Sequence, residues 1–258
     1  MDIIKSYDNK LIKYARSLSK NKVQSEHGAF LVEGKRFISE VTPKWEIYAT
    51  ICSVSFAKYN NIETYSNLHI AQDHIFNKLA DTIAPQGILA IVKQNLTNAE
   101  HIINDIINKK SPFVLLLENI SDPGNLGTIL RSAYCSGVDG VVLSSCCTNI
   151  YAPKAVRASA GSIFHVPFVV CDLSYISDIL KKHGITIYAA TVSKSRSLYT
   201  ADFLKPAALA LGNEASGLSF EILNKADDKL YIPSLFESLN VAAAASVFVY
   251  EAYRQRNL

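Results

Sequence analysis

After Pro112 the chain alternates short, unbroken apolar runs with segments whose apolar residues recur at helical spacing, and this alternation constrains its fold most tightly. Phe113–Leu117 is a run of the kind expected for a strand buried on both faces. Val141–Leu143, Val166–Val170, Ile185–Ala189, Ala207–Leu211 and Lys229–Ile232 repeat the type. Helical patterns lie between them: Leu126, Ile129, Leu130, Ala133 and Tyr134 with a stop at Gly137, then Leu173–Lys182 and Phe220–Lys225. Val241–Arg254 is a last helix-prone stretch. Such alternation predicts an α/β domain with a mostly parallel sheet covered on both faces.

The earlier part reads differently. Strand candidates at Ala29–Val32, Trp45–Thr50 and Leu89–Val92 surround a helical stretch from Lys35 to Val41. The polar, helix-compatible segment Thr97–Lys110 ends at Ser111–Pro112, and proline disfavours helix in the residue before it. Two domains are expected, 1–108 and 109–258.

Composition excludes several classes. With 49% hydrophobic and 19% charged residues, the chain is neither disordered nor fibrous. The longest apolar run, Val241–Tyr250, is too short to span a bilayer, and Met1–Lys5 opens no signal peptide. A cytoplasmic location without membrane attachment is expected. The five cysteines form no C-x-x-C pair and have no histidine at zinc-ligand spacing, so neither a disulfide scaffold nor a metal site is expected. Formal net charge is only +3, but residues 1–22 hold six basic residues against two acidic ones. A basic arm of this kind suits a phosphate backbone, and a solvated helix would carry the same charges.

Ligands of parallel sheets bind beyond the carboxyl ends of the strands, so the loops after Leu117, Ala189, Leu211 and Ile232 are where chemistry is expected. The first reads Asn119-Ile120-Ser121-Asp122-Pro123-Gly124-Asn125-Leu126-Gly127 and enters a helix bearing Arg131. A cap needs one turn-former; two glycines, an amide and an arginine flanking the apolar stripe point to anion or RNA binding. The second reads Gly212-Asn213-Glu214-Ala215-Ser216-Gly217-Leu218, with main-chain groups open to a small ligand. The third runs from Ile232-Pro233 to Ser238-Leu239-Asn240, where Asn240 stands as an N-cap. No G-x-G occurs anywhere, which excludes the glycine fingerprint of the common dinucleotide and methyltransferase folds and the P-loop.

In this order the three segments resemble the SpoU-type RNA ribose 2′-O-methyltransferases of the SPOUT superfamily. Asn119, Asp122, Pro123, Asn125, Gly127, Arg131 and Ala133 fit the first family motif. Gly212, Asn213, Glu214, Gly217 and Leu218 fit the second, and Ile232, Pro233, Ser238, Leu239, Asn240 and Val241 the third. Phe30–Arg36 and Pro85–Ala90 resemble the small α/β RNA-binding domain, itself similar to a ribosomal protein, that precedes many members. Two departures stand out: a shortened connection between Ile232 and Ser238, and Ala215 and Ala242 in place of a common Gly and Ser.

The resemblance implies a deep trefoil knot in the carboxyl-terminal domain, S-adenosylmethionine as cofactor and a homodimer acting on RNA, ribosomal rather than transfer RNA. It implies a catalytic set of Asn125, Arg131, Glu214, Ser238 and Asn240, cofactor contacts from Thr191, Gly212, Ile232 and Leu239, and RNA contacts from Lys35 and Arg36. The family proposal makes the arginine a general base. Because guanidinium stays protonated, a phosphate clamp that also stabilises developing alkoxide is the preferred role for Arg131. A transfer-RNA or base methyltransferase, or an idle ribosome-assembly factor on the same fold, are the alternatives.

Overall fold

The computed structural model describes residues 2–258 except Leu96, Thr97, Ser193, Lys194, Phe236 and Glu237. The chain divides into two compact units, Met1–Leu96 with Tyr151–Phe164, and Thr97–Ile150 with His165–Leu258.

In the first unit β1 (Ile3–Ile4), α1 (Lys10–Ser17), α2 (Asn21–His27), β2 (Ala29–Glu33), α3 (Lys35–Ser39), β3 (Ile47–Ser53), α4 (Val54–Tyr59), β4 (Leu68–Ala71), α5 (Asp73–Phe76) and β5 (Ile88–Lys93) follow one another. The five strands form one sheet in the order β1-β4-β3-β5-β2, with β5 antiparallel to both neighbours. The basic amino-terminal segment is no loose arm. Asn9 caps α1 by accepting from Leu11 N, and Ile12, Ala15 and Leu18 are buried in a core with Ile51, Leu89 and Ile91. Only the outer face of that helix carries the charge, so burial of its apolar face fixes the segment.

The segment 151–164, which includes α8 (Pro153–Ser159), completes this unit. Phe30 packs on Tyr151 with ring centroids 4.7 Å apart, and Trp45 meets Phe164 edge-on at 5.3 Å. The Trp45 indole N–H donates to Phe164 O at 3.2 Å.

The second unit contains α6 (Ala99–Ile107), β6 (Phe113–Leu117), α7 (Pro123–Cys135), β7 (Gly140–Leu143), β8 (Phe168–Val170), α9 (Leu173–Lys182), β9 (Thr186–Ala190), β10 (Arg196–Ser197), β11 (Ala207–Leu211), α10 (Phe220–Lys225), β12 (Asp228–Tyr231) and α11 (Val241–Asn257). Its seven strands run β10-β12-β9-β11-β6-β7-β8, every pair parallel. Ile102, Ile103 and Ile106 of α6 are buried against Val114, Leu116 and Val142, so α6 belongs here, ahead of the position 108 read as a boundary. Among the described residues no helix is long and apolar enough to cross a membrane.

The order β12-β9-β11-β6 groups the loops of interest. These are the strands whose trailing loops carry the unusual residues, and they are four consecutive neighbours. Being parallel, they deliver the four loops to one edge of the sheet. At strand spacing the whole row spans about 14 Å, the scale of a nucleoside-sized ligand.

Candidate active site

The loop after β6 is held by a backbone that few residues accept. Asn119 has φ +57°, a left-handed conformation that asparagine tolerates better than other side chains except glycine. Its N–H donates to Ser144 Oγ at 2.9 Å, and the Ser144 hydroxyl donates back to Asn119 Oδ1 at 3.0 Å. Asn213 Nδ2 donates to Asn119 O at 2.8 Å, tying this loop to the one after β11. A second tie runs through Glu118, whose Oε2 accepts from Ser219 N at 2.7 Å.

The loop after β11 is a tight hairpin in which Asn213 and Gly217 exchange both backbone hydrogen bonds, at 3.1 and 2.9 Å. A Cβ on Gly212 would stand 2.2 Å from the Gly217 carbonyl carbon and 2.3 Å from Leu218 N. Closing the hairpin therefore demands glycine at this position, independent of any ligand contact.

Three of the expected catalytic residues meet. Asp122 caps α7 by accepting from Asn125 N at 2.9 Å, which places the Asn125 side chain on the first turn. Asn125 Nδ2 donates to Glu214 Oε1 at 2.8 Å, and Ser121 Oγ donates to Glu214 Oε2 at 3.0 Å. Asn240 caps α11, its Oδ1 accepting from Ala242 N at 2.9 Å and Ala243 N at 3.3 Å. That leaves only its amide nitrogen for Asn125, and Asn240 Nδ2 donates to Asn125 Oδ1 at 3.1 Å. One cap thus orients two amides in series, because each must present the complementary atom to the next.

Burial pushes the Glu214 carboxyl up. The hydrogen bonds from Asn125 and from its own and Ser121's groups outweigh that and hold it below the ordinary glutamate value. It is ionised at neutral pH and a poor proton acceptor, suited to orienting Asn125.

Arg131 stands apart. Leu126, Ile129, Leu130 and Ala133 bury the inner face of α7, while the Arg131 side chain is exposed and makes no hydrogen bond or ion pair to any described residue. Its forked donor has no acceptor among the described residues. Ser238 and Leu239 are exposed just before the Asn240 cap, and Ile232 is half-buried after β12. The shortened connection before Ser238 includes Phe236 and Glu237, outside the described residues. Thr191 follows β9, and its N–H donates to Leu230 O at 2.8 Å, which ties the loop after β9 to strand β12.

The same loops fit an organic cofactor with an apolar part. Val192 after β9, and Leu235 and Leu239 after β12, are large side chains left exposed on neighbouring strand ends. Next to them the backbone of the loop after β11 offers polar groups, a mixture that suits a nucleoside with an aliphatic arm. Among the described residues no group of His, Cys, Asp or Glu could hold a metal.

In the first unit Lys35 and Arg36 open α3, both exposed. Gln86 Oε1 accepts from Lys35 N at 2.9 Å, and Gly34 N donates to Ile88 O at 2.9 Å, which brings the segments 30–36 and 85–90 together. Sequence reasoning passed over Ser121 and Ser144. Serine beside a turn reads as an ordinary cap, and their partners are 93 and 25 positions away.

Residues 112–250 match the model of the SpoU rRNA Methylase family, and residues 9–90 match an MRM3-like substrate binding domain. The chain is 30% identical over 256 residues to the 23S rRNA (guanosine(2553)-2′-O)-methyltransferase RlmP of Bacillus subtilis, covering 97% of this chain and 98% of that protein. Among solved structures, the AdoMet-bound rRNA methyltransferase from Sinorhizobium meliloti superposes with a TM-score of 0.86 at 25% identity, covering 98% and 97% of the two chains. The SpoU methyltransferase AviRb from Streptomyces viridochromogenes in complex with AdoMet gives 0.82 at 25% identity, over 96% and 98%. The hydrogen-bonded row Asn240–Asn125–Glu214 lies within the matched residues 112–250, and the chain belongs to the SpoU rRNA methylase family.

Proposed function

We propose that this protein transfers a methyl group from S-adenosylmethionine to a ribose 2′-hydroxyl of ribosomal RNA. The observation that carries the reading is the row Asn240–Asn125–Glu214, built from three loops of the family motifs at one sheet edge. The ribosomal relatives and the match of residues 9–90 to a substrate binding domain favour ribosomal over transfer RNA.

S-adenosylmethionine supplies a methyl group made electrophilic by its sulfonium. Thr191, Gly212, Ile232 and Leu239 would hold it, with the exposed Val192 and Leu235 beside its apolar part. What the chain contributes is chiefly alignment of the hydroxyl, an effect that can reach roughly 7–11 kcal/mol. Asn125, fixed by Asn240 and Glu214, positions the ribose hydroxyl, with Ser238 beside Asn240 completing the row. Arg131, whose guanidinium has no partner among the described residues, binds the phosphate next to the target ribose and stabilises the charge developing on the oxygen. Lys35 and Arg36 take the RNA backbone on the first unit.

A trefoil knot around the loops after β9, β11 and β12 fits the strand order, where β9 lies between β11 and β12. A homodimer fits the exposed Tyr250 and Tyr253 on α11, and a cytoplasmic place of action goes with a ribosomal substrate. The test is calorimetry with S-adenosylmethionine, followed by mapping of 2′-O-methyl positions in cellular RNA with and without the protein. Binding and loss of one ribose methylation in ribosomal RNA are expected. No binding would leave an assembly factor on this fold; a methyl group lost instead from a base or from transfer RNA would replace the substrate.

A further inference from the structure

The serine ahead of α7 does not cap it. Asp122 fills that place, leaving the Ser121 hydroxyl for Glu214, 93 positions further on. Ser121 and Asn125 are four residues apart at one helix start, and each donates to a different oxygen of the same carboxylate, at 3.0 and 2.8 Å. Glu214 is exposed, and a carboxylate held at one oxygen turns easily about its broad final torsion. Held at both, it has one orientation, and so does the amide of Asn125 that it receives.

We infer that Ser121 is a positioning residue for methyl transfer, acting through Glu214 to fix the amide of Asn125. It needs no contact with RNA or cofactor. The inference rests on the proposed methyltransferase function, in which Asn125 aligns the hydroxyl.

The test compares wild-type protein with Ser121→Ala and Ser121→Thr, using radiolabelled S-adenosylmethionine and unmethylated 23S ribosomal RNA, the substrate named for the Bacillus relative. In Ser121→Ala kcat should fall about tenfold, the scale of a small misalignment, while KM for both substrates stays within about twofold. Ser121→Thr keeps the hydroxyl and should recover kcat to within about twofold of wild type. The side-chain amide nitrogen resonance of Asn125 should shift in the alanine variant and return in the threonine variant. Unchanged kcat in Ser121→Ala, a threonine variant no better than alanine, or a rise in KM alone would overturn the positioning role. A wild-type protein that methylates nothing while the resonance responds as described would sink the enzyme reading and leave the clamp on Asn125 standing.

Discussion

The side-chain amide of Asn240 donates to the amide oxygen of Asn125 at 3.1 Å, across 115 positions of sequence, while its own oxygen caps α11. In the proposed function this one side chain serves both folding and methyl transfer, and two substitutions separate the two. Asn240→Ala should lose about 1 kcal/mol of stability with the cap. Asn240→Ser keeps a capping oxygen, so its denaturant midpoint should stay near wild type while turnover falls about tenfold or more. Equal turnover in the serine variant and wild type would remove the amide from the mechanism.

Arg131 offers a planar fork that no described residue uses. Arg131→Lys retains the charge and loses the fork, and turnover should fall about a hundredfold. Steady-state kinetics on ribosomal RNA checks this. A lysine variant with near-normal turnover would show that a point charge suffices.

At Gly212 even one methyl group collides with backbone, 2.2 Å from the Gly217 carbonyl carbon. Gly212→Ala should destabilise the second unit by about 3 kcal/mol and weaken S-adenosylmethionine binding with it. Urea unfolding and calorimetry on the same preparation would show both losses together. Cofactor affinity lost at full stability would point instead to a direct ligand contact.

Glu214 sits below the ordinary carboxylate value in the folded protein, so its ionised form stabilises the fold. That contribution is present above the unfolded glutamate value and is lost as pH falls through the folded one. Wild type should thus exceed Glu214→Gln in stability at neutral pH, and the gap should close below about pH 4.5, the ordinary glutamate value. A gap that widens on acidification would contradict the clamp by Asn125 and Ser121.

The only tryptophan, Trp45, reports on the packing of Phe164. Phe164→Ala should cost about 3 kcal/mol or more and shift the Trp45 emission to the red. Fluorescence-monitored unfolding measures both.

Much of the second unit could be read from local pattern. Phe113–Leu117, Ala207–Leu211, Leu173–Lys182 and Phe220–Lys225 are elements with the bounds expected of them, because unbroken apolar runs and capping residues such as Asp172 and Ser219 act locally. The first unit was less legible. Lys10–Ser17 looked like charge, and its buried Ile12 and Ala15 declare themselves only against Ile51 and Leu89. In the candidate site the motifs named Asn125, Glu214 and Asn240, but not that they form one row, since hydrogen bonds spanning 89 and 115 positions leave no spacing signal. The isolation of Arg131 was equally invisible.

The placement of residues 151–164 in the first unit has a consequence for synthesis on the ribosome. Phe30 and Trp45 emerge early, yet Tyr151 and Phe164, which cover them, emerge only after β6, α7 and β7 have been made. The amino-terminal unit must wait, its aromatic surface open to chaperones or to misassociation, until chain from the middle of the other unit returns to close it. A fragment ending at residue 96 would keep that surface permanently uncovered. Because each unit is closed by chain from both sides of the other's sequence, neither can be cut away at a single point.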